Sequence, residues 1–328
     1  MSKTVALCLG SGGARGYTHI GVIEALEERG YEIIAISGCS MGAIVGGFYS
    51  AGKLAEYRDW VVGLRYLDVI RLLDISLLAG GMIRGDKIFN IIDELLAGIQ
   101  IEDLAIPFTA VATDLTGHKE AWFQNGPLTQ AVRASAAIPG MLSPVAINGS
   151  MMVDGAVLNP LPITPCVSAH ADLIIAVDLS ADVPIPDLNP APEKATQEEA
   201  EPSLVGKRGP EWFNGFLEKA GGWLDGINKN GRSPADKIKQ QEQQTEQLGK
   251  IAILNRVIEV MGASLTQYKI AGYPPDLLIK IPRNSCEIYE FYRAQEMIDL
   301  GKHIADRVLD AYEKGDVSRY GEGLSYKI

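Results

Sequence analysis

The sequence predicts an α/β protein in three layers, with a largely parallel central sheet covered by helices on both faces. Three observations carry this prediction. Short apolar runs that read as buried strands recur along the chain, beginning with Thr4–Leu9 and Glu32–Ile36. Amphipathic stretches of helical period separate them. The first two runs flank one such stretch, Tyr17–Arg29, giving a βαβ order in which successive strands lie parallel.

Each element has its own signal. Tyr17–Arg29 spaces Ile20, Ile23 and Leu26 along one face and stops at Gly30. Met41–Ala51 reads as a helix closed by Gly52, followed by helical stretches over Leu54–Tyr66 and Asp86–Leu96 and a strand over Phe108–Ala112. Pro127–Ala137 is predicted helical because proline suits a first turn, where its missing N–H costs nothing. Pro144–Ile147 and Ser150–Asp154 flank Asn148-Gly149, a pair that tolerates the positive φ angles of a tight hairpin. Leu173–Asp178 and Leu277–Ile281 are further strands. Glu287–Tyr312 reads as a long closing helix with Ile288, Phe291, Ile298, Ile304 and Leu309 toward the sheet.

One stretch departs from this alternation. With 328 residues, 47% of them hydrophobic, the chain is long enough for a single domain over residues 1–328 that carries an insertion. Residues 181–250, rich in Pro, Glu, Gln, Gly and Lys, are read as that insertion, polar and in part mobile. Within it Trp212, Phe213, Phe216, Leu217, Ala220, Trp223, Leu224 and Ile227 recur at helical spacing. Four interspersed glycines and a polar face poor in lysine favour packing against protein over contact with lipid. Lys237–Gln247 is a polar helix candidate leading into the more apolar Ile251–Met261.

Charge narrows the partners. A formal net charge of -11 argues against nucleic acid and against docking on anionic membranes through a basic surface. The N-terminal apolar run reaches Gly10 too soon for a signal peptide, and no later run is long enough to span a bilayer, so a soluble cytoplasmic protein is expected. Peripheral contact with a neutral membrane interface, and an oligomer, stay open. Cys8, Cys39, Cys166 and Cys286 are widely spaced with no C-x-x-C pair, which fits small core residues rather than disulfides or a zinc site.

Three motifs carry chemistry. Gly38-Cys39-Ser40-Met41-Gly42 is a G-x-S-x-G elbow between a strand and a helix, where the serine oxygen stands clear of the backbone and Gly38 and Gly42 keep the turn uncrowded. Ser40 is therefore the candidate nucleophile; Cys39 could be a reactive thiol, but the register of the elbow exposes the serine. Gly10-Ser11-Gly12-Gly13-Ala14-Arg15-Gly16 follows the first strand and opens a helix, a geometry that turns several N–H groups toward a phosphate or a developing oxyanion. Nucleotide binding is disfavoured, because position 15 is arginine and the second strand ends in the elbow instead of an acidic residue. The third motif, Asp154-Gly155-Ala156, closes the hairpin strand.

In order and spacing these motifs resemble the patatin-like phospholipase family, and most closely its bacterial single-domain branch. The likeness extends through Ala112-Thr113-Asp114-Leu115-Thr116-Gly117, Arg133-Ala134-Ser135-Ala136-Ala137-Ile138-Pro139 and Asn159-Pro160-Leu161-Pro162, so it covers Lys3 to about Ala181, and the terminal helix resembles the family's closing helix. The resemblance implies a serine acyl hydrolase acting on lipid or other acyl esters, of phospholipase A, lysophospholipase or carboxylesterase type. It implies Ser40 as nucleophile, Asp154 as general base, an oxyanion hole at Gly12, Gly13 and Ala14, and Arg15 bracing that loop, with no cofactor and no metal. Ser11 departs from the pattern, standing where many members have a third glycine. The alternative is a patatin-fold regulatory or binding protein that is weak or inactive in catalysis.

Read from the residues alone, a triad would need a histidine. His170 falls at the end of a helix starting near Pro162, His303 lies within the terminal helix, His19 follows the glycine loop and His118 sits in a turn, all positions that suit structural roles. A Ser–Asp pair is chemically coherent, since an aspartate in a partly dry site gains basicity and an ester needs less acid assistance than an amide.

Overall fold

The computed structural model describes residues 3–72, 86–96, 98–186, 253–254 and 256–316. The chain enters as β1 (Thr4–Leu9) and returns through α1 (Thr18–Glu28) to β2 (Glu32–Cys39), which lies parallel to β1. Helices α2 (Met41–Ser50), α3 (Leu54–Val62), α4 (Tyr66–Leu72) and α5 (Asp86–Leu96) precede β3 (Phe108–Asp114), which is parallel to β2. From there β4 (Lys119–Phe123) turns back on β3, α6 (Leu128–Ser135) follows, and β5 (Val145–Ile147) and β6 (Ser150–Asp154) form a hairpin. After α7 (Thr164–Val167), β7 (Leu173–Ala181) adds to the far side of β1. A helix over residues 256–272, α8, leads to β8 (Leu277–Pro282) beside β7, and α9 (Ala294–Glu313) ends the described chain.

The sheet order is β5-β6-β3-β2-β1-β7-β8, with β4 on β3. Its centre, β3-β2-β1-β7-β8, is parallel as expected, and β4, β5 and β6 add antiparallel pairs at and beside one end, which makes the whole sheet mixed. Side chains alternate along β1 between two cores. Val5, Leu7 and Leu9 pack with α1, α2 and α9 through Ile20, Phe48 and Ile298, whereas Ala6 and Cys8 face Leu161, Cys166 and Ile270 from the α7 and α8 side. Helices thus cover both faces. Among the described residues no helix is long and apolar enough to cross a membrane.

Four expectations change. β4 gave no clear strand signal, because Lys119-Glu120-Ala121-Trp122-Phe123 carries charge at a sheet edge. The helical stretch over Leu54–Tyr66 is two helices, broken around Gly63, with the Asp68 carboxylate accepting from the Arg65 N–H. β2 runs on to Cys39 because its last residues pair with β3. The closing helix begins at Ala294, not Glu287, because Ile288 gives its carbonyl to the Ala14 N–H and Glu287–Glu290 forms a self-bonded turn. The Trp212–Ile227 stripe and the Lys237–Gln247 candidate lie outside the described residues. Residues 187–250 of the insertion expected over residues 181–250 likewise lie outside the described residues.

α1 and α9 cross at backbone contact. A Cβ on Gly21 would press on the Ile298 carbonyl of α9, and one on Gly301 would press on the Thr18 carbonyl of α1. Gly301→Ala should therefore destabilise the fold by about 1–3 kcal/mol, the usual cost of overpacking. The check is a denaturant midpoint, with the slope unchanged.

Candidate active site

The sheet reverses its direction of growth at β1. From there the chain builds through β2 and β3 on one side and later through β7 and β8 on the other. Loops leaving the carboxyl ends of strands at such a switch diverge and open a crevice. The loop after β1 is the glycine segment, and the turn after β2 is Ser40.

Ser40 has φ 57 and ψ -121, a backbone state that costs a non-glycine residue about 1–3 kcal/mol. Its surroundings hold it there. The Ser40 N–H donates to Ser135 Oγ (2.9 Å), whose hydroxyl donates to the Val111 carbonyl (2.6 Å), and the Ser40 carbonyl accepts the first bonds of α2 from Ala43 and Ile44. A side chain on Gly42 would strike the Leu9 carbonyl, and one on Gly38 would strike the Gly42 carbonyl. The G-x-S-x-G spacing is therefore a packing requirement.

Asp154 reaches the serine through strand pairing. Residues 110–114 of β3 give one edge to β4, and on the other edge Val111 pairs with Cys39 of β2 while Ala112 pairs with Asp154 of β6. β6 thus takes the edge that β2 vacates when its chain turns at Ser40. Ser40 Oγ donates to Asp154 Oδ2 (2.6 Å); the Ala156 N–H (2.8 Å) and the Cys39 thiol (3.7 Å) donate to Oδ1. Both side chains are buried, and burial raises the Asp154 pKa to about 6 against the lowering effect of those three bonds. The Cys39 thiol is pushed well up by burial and by the Asp154 charge, so it stays protonated.

The glycine loop divides its donors between scaffold and crevice. The Gly10, Ser11 and Ala14 N–H groups bond to the Val177, Pro160 and Ile288 carbonyls, so Ala14, expected in the oxyanion hole, is already committed and Ser11 anchors the loop. Among the described residues no backbone carbonyl accepts from Gly12 or Gly13. Gly13 has φ +57, and a Cβ there would collide with Ile288. Arg15 is buried and donates to the Gly12, Leu179 and Arg283 carbonyls and to Glu259.

Two cavities meet at Ser40. One, of about 350 Å³, has mixed walls that include Gly12, Gly13, Asp154, Glu259, Arg283 and Asn284. The other, about 100 Å³, is walled by apolar side chains including Ile44, Trp60, Ile88, Phe89, Leu142 and Phe291. No histidine lines either. His19 is fully buried and its Nε2–H donates to the Gly10 carbonyl, with burial holding its pKa down at about 4. His118 and His170 occupy positive-φ turns, the latter beyond the short α7 and not on it, and His303 lies on α9.

The patatin-like phospholipase family model matches residues 7–167, a span that contains the glycine loop, the elbow and Asp154. An uncharacterized NTE family protein of Mycobacterium tuberculosis is 38% identical over 351 aligned residues, covering 96% of this chain and 94% of that protein. The chain belongs to the patatin-like phospholipase family. Human patatin-like phospholipase domain-containing protein 6 is 25% identical across 96% of this chain, which spans 21% of that longer protein. Lysophospholipase NTE1 of Cryptococcus neoformans is 34% identical over 188 residues, 55% of this chain and 11% of the fungal protein. The crystal structure of VipD from Legionella pneumophila shares the patatin-like fold, with a TM-score of 0.51 and 16% identity over 94% of this chain and 67% of that one.

Sequence reasoning missed Ser135, Ile288 and Glu259. Ser135 sits in the Arg133–Pro139 stretch of family likeness, where its type and place were visible but its bond to Ser40 was not; Ile288 was read as a sheet-facing residue of the closing helix, which gave no sign of its bond to Ala14, and Glu259 gave no local signal.

The Asp154 carboxyl binds its proton more tightly in the folded protein than at the ordinary value of 3.8. Its contribution to stability is therefore full below pH 4 and is lost as pH rises through about 6, when a buried charge must form. Asp154→Asn removes that charge. The variant should exceed the wild type in stability by about 1–3 kcal/mol above pH 7, with the gap closing toward pH 4, as read by thermal melts across that range.

Proposed function

We propose that this protein hydrolyses acyl esters of lipids through a Ser40–Asp154 dyad and an acyl-enzyme intermediate. The observation that carries this reading is the 2.6 Å bond from Ser40 Oγ to a buried Asp154 carboxylate, in a cavity also walled by Gly12 and Gly13. A carboxylate with a pKa of about 6 is deprotonated at neutral pH yet far more basic than an exposed aspartate. That is the property a serine activator needs.

In the proposed reaction Ser40 Oγ attacks the ester carbonyl carbon while its proton passes to Asp154 Oδ2. The carbonyl electron pair moves onto oxygen, and the Gly12 and Gly13 N–H groups stabilise that oxyanion beside the start of the following helix. Collapse expels the alcohol, which takes the proton from Asp154, and leaves an acyl ester on Ser40. Water then attacks that ester, Asp154 accepts its proton, and return of the proton to Ser40 releases the carboxylic acid. Removing one such oxyanion donor costs about 10²–10³ in turnover.

The two cavities support a lipid substrate. An acyl chain gains by leaving water for the apolar cavity, at roughly 0.8 kcal/mol per buried methylene, while the mixed cavity suits the alcohol and its polar group. The names of the relatives, phospholipase and lysophospholipase, agree with this class.

Fluorophosphonate labelling followed by mass spectrometry should place the tag on the Ser40 peptide; a tag elsewhere overturns the assignment. Ser40→Ala and Asp154→Asn should each abolish hydrolysis of p-nitrophenyl butyrate, and the double variant should be little worse, since the two act as one unit. Because the base must be ionised, kcat/KM should rise tenfold per pH unit below about 6 and level off above it. Ile88→Trp, on the wall of the apolar cavity, should lower kcat/KM for long-chain esters at least tenfold more than for the butyrate.

A further inference from the structure

We propose that Glu259 is a positioning residue that aims the Gly13 N–H by holding Arg15 against the carbonyl of Gly12. The inference rests on the Ser40–Asp154 reading and extends it to α8, a helix that reading leaves without a part.

A trans peptide is planar, so its carbonyl and the following N–H point in opposite directions. Whatever fixes the Gly12 carbonyl therefore fixes the direction of the Gly13 N–H. Arg15 Nε donates to that carbonyl (3.3 Å), and the same guanidinium donates through Nη1 to the Leu179 (3.4 Å) and Arg283 (2.8 Å) carbonyls. Those two carbonyls belong to β7 and to the residue just after β8. The loop is thereby tied to the strands behind it. The remaining arm, Nη2, donates to Glu259 Oε1 at 2.9 Å, and Glu259 Oε2 also accepts from Arg256 at 3.0 Å.

Burial makes the carboxylate necessary. The Arg15 side chain is 8% exposed, and Glu259 is the carboxylate that bonds to it. With Glu259 removed the guanidinium is hydrogen-bonded by carbonyls alone; the buried Asp178 carboxylate on the same cavity still attracts it, but without the direct ion pair, and a buried cation stripped of its hydrogen-bonded counter-charge is among the costlier states a side chain can adopt. Without Glu259 the cation gains by turning toward the open cavity that Arg15 and Glu259 both line. That movement breaks the Nε bond to Gly12. A second hold, Ala14 N–H to the Ile288 carbonyl, fixes the next peptide, so the Gly12–Gly13 unit is the one left free to rotate. Loss of aim falls on turnover, because the donor matters most when negative charge develops on the carbonyl oxygen.

The test measures kcat and KM for p-nitrophenyl butyrate, with fluorophosphonate inactivation as a second readout. Glu259→Ala should lower kcat and the inactivation rate by about 10- to 100-fold with KM within about twofold, and Glu259→Asp should recover part of the loss. In an Arg15→Met background, already impaired, Glu259→Ala should cause no further fall, because the carboxylate acts only through the guanidinium. A merely structural role would instead lower the melting temperature and add its effect in both backgrounds. Wild-type kcat in a folded Glu259→Ala protein, or an additive loss in the Arg15→Met background, would overturn the proposal. Full activity of Ser40→Ala would sink the underlying mechanism separately, whatever Glu259 does.

Discussion

One edge of β3 serves two strands, and everything at the site depends on where one replaces the other. β2 pairs with it as far as Cys39, then leaves the sheet plane at Ser40; β6 arrives antiparallel and ends on Asp154, opposite Ala112. Hydrogen-bond registers in a sheet are fixed in steps of one residue, so this juxtaposition is set by backbone pairing and not by flexible side chains. A slip of one residue in β6 would turn Asp154 to the other face. The 2.6 Å contact between Ser40 and Asp154 is thus a consequence of ladder geometry, as is the way the glycine loop of the neighbouring β1 overlooks it.

That arrangement opposes stability at several points. Ser40 sits in a strained backbone state, Asp154 is a carboxylate in a dry pocket, and Arg15 is a buried cation. Each is tolerable because its neighbours over-determine it: Ser135 and the start of α2 for Ser40, three donors for Asp154, three carbonyls and Glu259 for Arg15. The stabilising side is the two-faced core. Apolar burial along β1, α1, α2 and α9 supplies the rigidity that lets unfavourable groups stay in place, and the glycines of α1 and α9 allow those helices to approach to backbone contact.

Much of this is legible in the sequence because it depends on local order. Strands such as Thr4–Leu9 and Leu277–Ile281 declare themselves by short apolar runs, and the Asn148-Gly149 turn, with φ 50 and 81, follows from residues that tolerate such angles. The elbow and the glycine loop could be picked out by residue type and spacing, Asp154 through the resemblance to the family, and the fold gathers them in one crevice. What stayed hidden depends on tertiary pairing. The strand β4 is held by β3 and not by its own propensity; the delayed start of α9 follows from a carbonyl that Ile288 gives to Ala14; and Ala14 looked like an oxyanion donor because the acceptor of its N–H is more than 270 residues away. The partner of Arg15 was equally remote, on a helix with no motif of its own.

A dyad also sets limits that a triad does not. An aspartate accepting the serine proton directly, with no imidazole between them, must lie within one hydrogen bond of the nucleophile and must be basic enough to take the proton, and burial is the means of meeting the second demand. The same burial restricts the leaving group. A carboxylic acid with a pKa of about 6 can return its proton to a departing alkoxide with ease, and an ester needs less of that acid assistance than an amide does. The proposed chemistry is therefore matched to esters, and under the same proposal the division of space at Ser40 suits esters of one kind. With an apolar cavity on one side and a mixed, charge-bearing cavity on the other, a substrate whose two halves differ sharply in polarity is the one that both sides can hold at once while its carbonyl lies at their junction.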